Sequence, residues 1–127
     1  MRKAARMSQL LLSTVSAIHR GAVSFASSGR RVLIADADAE SRERRESQLR
    51  SAGCVVTVAR TGFEAIVKAS CQVPDLILID ASLPDIDGPE TGRLITTCPV
   101  TSHIPIINLP TGRLLPQKVI SRLRRGA

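Results

Sequence analysis

The chain has 127 residues, 43% hydrophobic and 23% charged, a size and composition that suit one modest domain. It has no Trp or Tyr and only two Phe, which excludes the aromatic base-stacking platforms that bind single-stranded nucleic acid. No run approaches the roughly 18 apolar residues that a membrane-spanning helix needs, so we expect no transmembrane segment.

The net charge of +7 is concentrated at the two ends of the chain. Residues 1–30 and residues 113–127 each carry five basic side chains and no acid, whereas residues 31–112 hold eight bases against eleven acids. The acidic centre argues against a nucleic-acid-binding core, because phosphate binding needs a basic folded face. No DNA-binding domain is evident. The stretch from Arg122 to Arg125 either contacts a polyanion or forms the cationic last turn of a helix.

Residues 1–29 predict a basic amphipathic or disordered extension, separate from a domain over residues 30–127. Apolar residues recur there at helical spacing, and the segment contains no acid. Three interpretations stay open: a disordered or loosely helical extension, a helix that binds a surface or partner, and a targeting segment.

The three cysteines, Cys54, Cys71 and Cys98, form no CxxC pair and no metal-ligand spacing with His19 or His103. We therefore expect neither a disulfide framework nor a zinc site. Buried thiols in a reducing compartment fit better, and the expected location is cytoplasmic.

From Arg30 onward, short apolar runs alternate with helical stretches. This pattern is typical of parallel βαβ units covered by helices on both faces. The strand over 76–80 is the most hydrophobic and is therefore predicted to be central. In chain order the predicted elements are a strand over 31–35, a helix from Asp38 to about Ala52, a strand over 54–59, a helix from Phe63 to about Ser70, a strand over 76–80, a short helix from near Pro89, a strand over 104–109 and a helix over 116–125.

Two acids, Asp36 and Asp80, stand at the ends of two predicted strands. The carboxyl ends of parallel strands meet at one edge of the sheet, so we expect both side chains to face one pocket. Alone, Asp36 would be explained as a cap of the next turn. Clustered carboxylates favour Mg²⁺, and a carboxylate beside Mg²⁺ can attack phosphorus to give an acyl phosphate.

Residues 31–112 resemble the CheY-like receiver domain of bacterial response regulators. The resemblance implies a flavodoxin-like α/β fold, a doubly wound parallel sheet with strand order 2-1-3-4. The matching stretches are Val32 to Asp36, the Ala52-Gly53 helix stop, the helix start at Gly62 to Ala65, and Pro74 to Asp80 followed by Leu83 to Gly88.

The resemblance also assigns roles to residues of this sequence. It implies that Asp80 accepts a phosphoryl group from a histidine kinase or phosphotransfer protein. It further implies that Asp36, Asp80 and the backbone carbonyl of Ser82 hold Mg²⁺.

The chain departs from the family's pattern at the positions that carry the chemistry. Ala37 replaces one acid of the usual pair, which predicts weakened Mg²⁺ binding. Pro110 stands where the family has its switch Ser or Thr, and proline has no N–H to donate. Thr111, one residue later, is the remaining candidate for the switch.

The sequence after Thr111 is too short for the family's fourth helix and fifth strand. Leu115 to Leu123 resembles the closing helix, so Lys118 is predicted to be a surface residue and not the phosphate-binding lysine. The fourth strand then becomes an open apolar edge. A second copy of the chain, a partner or the N-terminal segment is expected to cover it.

The expected function is that of a stand-alone receiver in phosphorelay signalling, which passes its state to a downstream signalling protein. No enzyme activity is expected beyond Mg²⁺-assisted phosphorylation of its own aspartate. The alternative is a phosphorylation-independent pseudo-receiver that acts as a protein-interaction module. A small metal-dependent phosphatase is a third interpretation, but it lacks an acid two residues after Asp80, where Ser82 stands.

Overall fold

The computed structural model describes residues 29–125, which form a parallel four-stranded sheet in the order β2-β1-β3-β4. Apart from Gly29, the predicted extension over residues 1–29 lies outside the described residues. None of the helices in the described part is long and apolar enough to cross a membrane. The elements in chain order are β1 (Arg31–Ala35), α1 (Ala39–Ser51), β2 (Val55–Ala59), α2 (Gly62–Gln72), β3 (Leu76–Asp80), α3 (Gly88–Thr97), β4 (Ile106–Leu109) and α4 (Gln117–Arg125).

The sheet is buried between two layers of helices. β3 is buried along its whole length and lies between β1 and β4, so the prediction of a central strand there is confirmed. Successive residues of β1 face opposite layers: Ile34 packs in one hydrophobic cluster with Leu49 and Leu123, and Leu33 packs in the other with Ala69. The doubly wound fold and the strand order 2-1-3-4 are both confirmed.

Side-chain caps start three helices directly after strand ends. Asp38 accepts a hydrogen bond from Ser41 N at 2.8 Å and caps α1, as predicted. Thr61 caps α2 and Asp87 caps α3 in the same way. Because these strands are parallel, the turns after β1, β2 and β3, where the three helices start, lie at one edge of the sheet.

Two element boundaries differ from the prediction by two residues, and the starts of β2, α2 and α4 each differ by one. β4 begins at Ile106, two residues late, because Pro105 has no N–H and Ile104 N instead donates to Thr101 O at 3.0 Å in the preceding turn. α2 runs two residues further, to Gln72, and ends where Val73 adopts the left-handed conformation (φ 43°).

The expectation of three buried thiols is wrong in part. Cys54 is buried, Cys98 is half-buried and Cys71 is exposed on the last turn of α2. Burial raises the pKa of the Cys54 thiol. The side chain therefore stays protonated, and the protonated thiol is less reactive than the thiolate.

β4 connects to α4 without an intervening element. Among residues 29–125 there is no fifth strand and no helix between β4 and α4, in agreement with the prediction. α4 packs Ile120 and Leu123 against the sheet, and Lys118 is exposed. α4 therefore takes the place of the predicted closing helix, and Lys118 lies on the surface as predicted.

Candidate functional site

Two buried carboxylates lie at the carboxyl ends of neighbouring strands. Asp36 follows β1 and is 1% exposed; Asp80 ends β3 and is 2% exposed. β1 and β3 pair in parallel register, which brings the two acids together as predicted.

The side chain that joins the two acids is Arg45, from the middle of α1. Its Nη1 atom donates to Asp36 Oδ2 at 2.9 Å and to Asp80 Oδ2 at 2.8 Å. Its Nε atom donates to Arg113 O at 2.8 Å, and its Nη2 atom donates to Pro110 O at 2.9 Å. The side chain is fully buried. Arg45 therefore links α1, both strand ends and the loop between β4 and α4.

The remaining hydrogen bonds of Asp36 come from its own loop and from α1. Its Oδ1 atom accepts from Asp38 N at 3.0 Å, and its Oδ2 atom also accepts from the Ser41 hydroxyl. Arg42, on the same face of α1, donates to the backbone carbonyl of Asp36 at 3.0 Å. The Asp36 carboxylate is thus held by three donors: the Asp38 N–H, the Ser41 hydroxyl and the Arg45 guanidinium.

Both oxygens of Asp80 are also hydrogen-bonded. Ser82 N donates to Oδ1 at 2.8 Å, while Gly112 N and Arg45 both donate to Oδ2. Ser82 is the residue whose backbone carbonyl is predicted to bind the metal. Its hydrogen bond to Asp80 is made by its backbone N–H. The backbone donor from the β4–α4 loop is Gly112, directly after the predicted switch residue Thr111.

A cavity of about 320 Å³ lies over the acid pair and is open to solvent at one side. Its lining includes every site residue predicted from the sequence, so the structure brings them together in one place. The lining residues are Asp36, Ala37, Asp38, Asp80, Ser82, Thr111 and Gly112.

Arg45 lowers the affinity that these side chains can offer a divalent cation. Residues 29–125 contain no group of three or more His, Cys, Asp or Glu side chains that could hold a metal ion. Ala37 offers no ligand atom, and the two carboxylates already share the positive charge of Arg45. Mg²⁺ takes oxygen ligands in octahedral geometry, one or two of them carboxylates and the rest largely water. The carboxylates expected to hold Mg²⁺ are where the sequence places them, but they bind a guanidinium.

Arg45 is the functional residue that sequence reasoning missed. Its helix contains four arginines, and only the spacing of Ser41, Arg45 and Leu49, four residues apart, places it on the buried face. That spacing is the one local signal. An arginine is rarely buried unless it is paired with an acid. The spacing therefore predicts a buried Arg45 only once Asp36 and Asp80 are known to lie opposite it.

Comparison with known proteins identifies the family. A family model described as the response regulator receiver domain matches residues 32–127. The chain is 31% identical to protein PilG of Pseudomonas aeruginosa over 97 residues, which cover 76% of this chain and 72% of PilG. Some other curated relatives are much longer proteins, of which the chain spans 10% to 17%.

Solved structures agree with this result. A response regulator from Chloroflexus aurantiacus is 26% identical, with a TM-score of 0.67 over 76% of this chain and 95% of that one. Response regulator TrrA of Thermotoga maritima, solved in complex with Mg²⁺ and BeF, is 28% identical, with a TM-score of 0.60 over 64% of this chain and 69% of that one. The chain belongs to the family of response regulator receiver domains.

Proposed function

We propose that this chain is a phosphorylation-independent receiver, a protein-interaction module of response-regulator signalling whose acid pair is held by Arg45. The observation that carries the proposal is the buried contact of Arg45 with both Asp36 and Asp80, at 2.9 and 2.8 Å. A cytoplasmic location goes with this function.

The first support is the availability of the Asp80 carboxylate. In-line attack on phosphorus needs a free carboxylate oxygen aimed at the phosphoryl group. Both Asp80 oxygens accept hydrogen bonds from Ser82, Gly112 or Arg45, and the residue is 2% exposed. Oδ2 accepts two hydrogen bonds, one for each of its lone pairs, so a phosphoryl group could reach Asp80 only through the second lone pair of Oδ1.

The second support is the charge balance of the site. Two carboxylates and one guanidinium leave one net negative charge among the three groups. The Arg45 guanidinium offsets one of the two buried negative charges and so weakens their attraction for a divalent cation. Pro110 has no N–H, and Lys118 lies on the surface of α4, so neither residue assists a phosphoryl group.

A second candidate function is phosphoacceptance on Asp80 from a histidine kinase or phosphotransfer protein, with Mg²⁺ held weakly. The cavity of about 320 Å³ over the acids favours it, since this space has room for a phosphoryl group. In this version Ser82 and Thr111 would supply the hydroxyl groups of the lining.

The two candidates are separated by a labelling experiment. The full chain is incubated with acetyl phosphate and Mg²⁺, beside a receiver that is known to accept the phosphoryl group, and examined by intact-protein mass spectrometry. We expect no added phosphoryl group on this chain. A hydroxylamine-labile phosphoryl group that disappears in Asp80→Asn would overturn the proposal and establish the second candidate.

A second measurement uses beryllofluoride with Mg²⁺ and amide NMR spectra. We expect no shift of the Ser82 and Gly112 signals, whose N–H groups donate to Asp80. Saturable shifts at both amides would contradict the proposal even if the covalent adduct were too short-lived to detect.

A further inference from the structure

β4 is an edge strand, and no other strand of residues 29–125 pairs with its outer side. Toward β3, Pro105 O and Leu109 O accept hydrogen bonds at 3.0 and 2.9 Å. Peptide groups of alternate residues point to the same side of a strand. The N–H and C=O groups of Ile106 and Asn108 therefore point outward, away from β3.

The opposite edge of the sheet, strand β2, is covered by side chains that donate to its outward carbonyls. On β2 the outward carbonyls belong to Val56 and Val58. Lys68 Nζ donates to Val58 O at 2.7 Å, and Arg50 Nη2 lies 3.4 Å from Val56 O. Charged side chains of this kind block pairing with a further strand. Within the described part of the chain, no side chain donates to β4 in this way.

A groove of about 330 Å³ lies beside β4, between the sheet and α4. Its floor is apolar and includes Leu76, Ile107 and Leu123, while Lys118 and Arg122 stand at its rim. Both cations are exposed, and neither forms an ion pair with an acid of residues 29–125. The edge thus combines outward peptide groups, an apolar floor and unneutralised positive charge.

We propose that the β4 edge and this groove bind an extended acidic segment of a partner protein, which adds to the sheet as a fifth strand. Strand addition to an exposed edge takes its affinity from main-chain hydrogen bonds and its specificity from alternate side chains. Lys118 and Arg122 select for acidic side chains, and the apolar floor receives a side chain from the same face of the added strand.

The charges decide between the candidate occupants. A second copy would bring an identical edge whose α4 carries Lys118, Arg122 and two further arginines, so the cations would repel each other. Residues 1–28 carry four basic side chains and no acid, which makes them an equally poor match. Charge complementarity therefore favours a separate, acidic partner over self-association or the N-terminal segment.

The spacing of the rim suits a strand. Lys118 and Arg122 are four residues apart on a helix, which places their Cβ atoms about 5–6 Å apart. Residues two apart on a strand lie about 6.6 Å apart on the same face. The preferred segment therefore has acidic residues at alternate positions, followed on that face by an apolar residue.

This groove is separate from the acid pair. Leu76 and Pro105 stand at the amino-terminal ends of β3 and β4, whereas Asp36 and Asp80 stand at carboxyl ends. The proposed interaction module would thus bind an acidic partner segment at the groove, through residues that are not part of the acid pair. Either proposal can fail while the other stands.

The test uses the full chain and the capped peptide Val-Thr-Glu-Thr-Glu-Thr-Val, with Lys replacing both Glu in a control peptide. We expect the acidic peptide to bind at least tenfold more tightly than the control by fluorescence anisotropy. Amide hydrogen exchange should show Ile106 and Asn108 exchanging fast in the free protein and slowly with peptide. Ile107 and Leu109, which bond to β3, should be protected in both states.

Three variants sharpen the test. Lys118→Glu combined with Arg122→Glu should weaken binding at least tenfold, whereas Arg124→Glu, an exposed control on the same helix outside the groove, should change it less than threefold. Asn108→Pro removes an outward N–H without touching the ladder to β3, and it should weaken binding at least tenfold.

Several outcomes would overturn the proposal. Equal affinity for both peptides, or binding unaffected by Asn108→Pro, would show that neither the rim charges nor the strand edge takes part. Protection of Ile106 and Asn108 in the free protein would reveal another occupant. That occupant would be a second copy if protection rises with protein concentration, and residues 1–28 if deleting them removes it.

Discussion

Arg45 Nη1 lies 2.8 Å from Asp80 Oδ2, with both side chains almost completely buried. The contact joins the middle of α1 to the end of the central strand, between residues 35 positions apart in the chain. A guanidinium in this place offsets one of the two negative charges with a charge that is covalently part of the protein.

The first prediction concerns the stability supplied by this contact. Arg45→Met keeps the side-chain length but removes the charge, leaving two buried carboxylates without a cation. We expect a loss of about 3–5 kcal/mol in the free energy of unfolding, measured by urea denaturation. Arg44→Met, one residue away in an exposed pair with Glu40, should change it by less than about 1 kcal/mol.

A rescue experiment separates charge from packing. Asp36→Asn and Asp80→Asn, introduced together into the Arg45→Met chain, remove the uncompensated negative charges and should restore most of the lost stability. If they restore none, Arg45 acts through its hydrogen bonds to Pro110 O and Arg113 O, and the charge account is wrong.

The second prediction concerns the metal. Millimolar Mg²⁺ should leave the Tm of the natural chain unchanged. The double variant Ala37→Asp with Arg45→Met adds a carboxylate to the cavity lining and removes the guanidinium, and Mg²⁺ should then raise the Tm by binding the folded state only. Ala37→Asp alone is expected to respond much less. A full response in that single variant would show that Arg45 does not compete with the ion.

The third prediction is a pH dependence at the start of α2. Partial desolvation opposes ionisation of Asp85, but hydrogen bonds from Gly62 N and Phe63 N, at 2.8 and 2.9 Å, outweigh it and lower the pKa of this carboxyl. A lowered folded-state pKa adds stability above the unfolded pKa of about 3.9, and this stability is lost as the pH falls through the folded value.

Asp85→Asn should therefore destabilise the chain at neutral pH, and the difference from the natural chain should shrink as the pH falls below about 4. Thermal unfolding followed by circular dichroism across this range measures it. A difference that stays constant with pH would mean that Asp85 contributes by its shape or hydrogen bonds alone and not by its charge.

The fourth prediction contrasts two glycines of α3. A Cβ at Gly88 would lie 2.4 Å from Asp80 O and 3.0 Å from Ala81 Cα, both backbone atoms, so the strand end would have to move. Gly88→Ala should cost about 1–3 kcal/mol. At Gly92 the nearest atom is Ile106 Cγ2 at 3.7 Å, an ordinary contact. Gly92→Ala should stabilise the helix by up to about 1 kcal/mol, and equal effects of the two substitutions would contradict this account.

Local sequence determined the frame of the molecule. Short apolar runs ending in an acid are enough to define β1 and β3, since a strand buried on both faces has to be continuously apolar. Asp38 and Thr61 define helix starts through hydrogen bonds that span only three residues. The parallel topology follows from the alternation of strands and helices, and it brings Asp36 and Asp80 to one edge.

Only the tertiary structure decided what the acid pair does. Arg45 lies in a helix rich in charged residues, and within a few positions only its spacing from Ser41 and Leu49 separates it from Arg44, which is exposed. Its burial depends on carboxylates 9 and 35 residues away and on carbonyl groups more than 60 residues away. A buried charge is stable only where all these partners converge, and that convergence is a property of the folded chain.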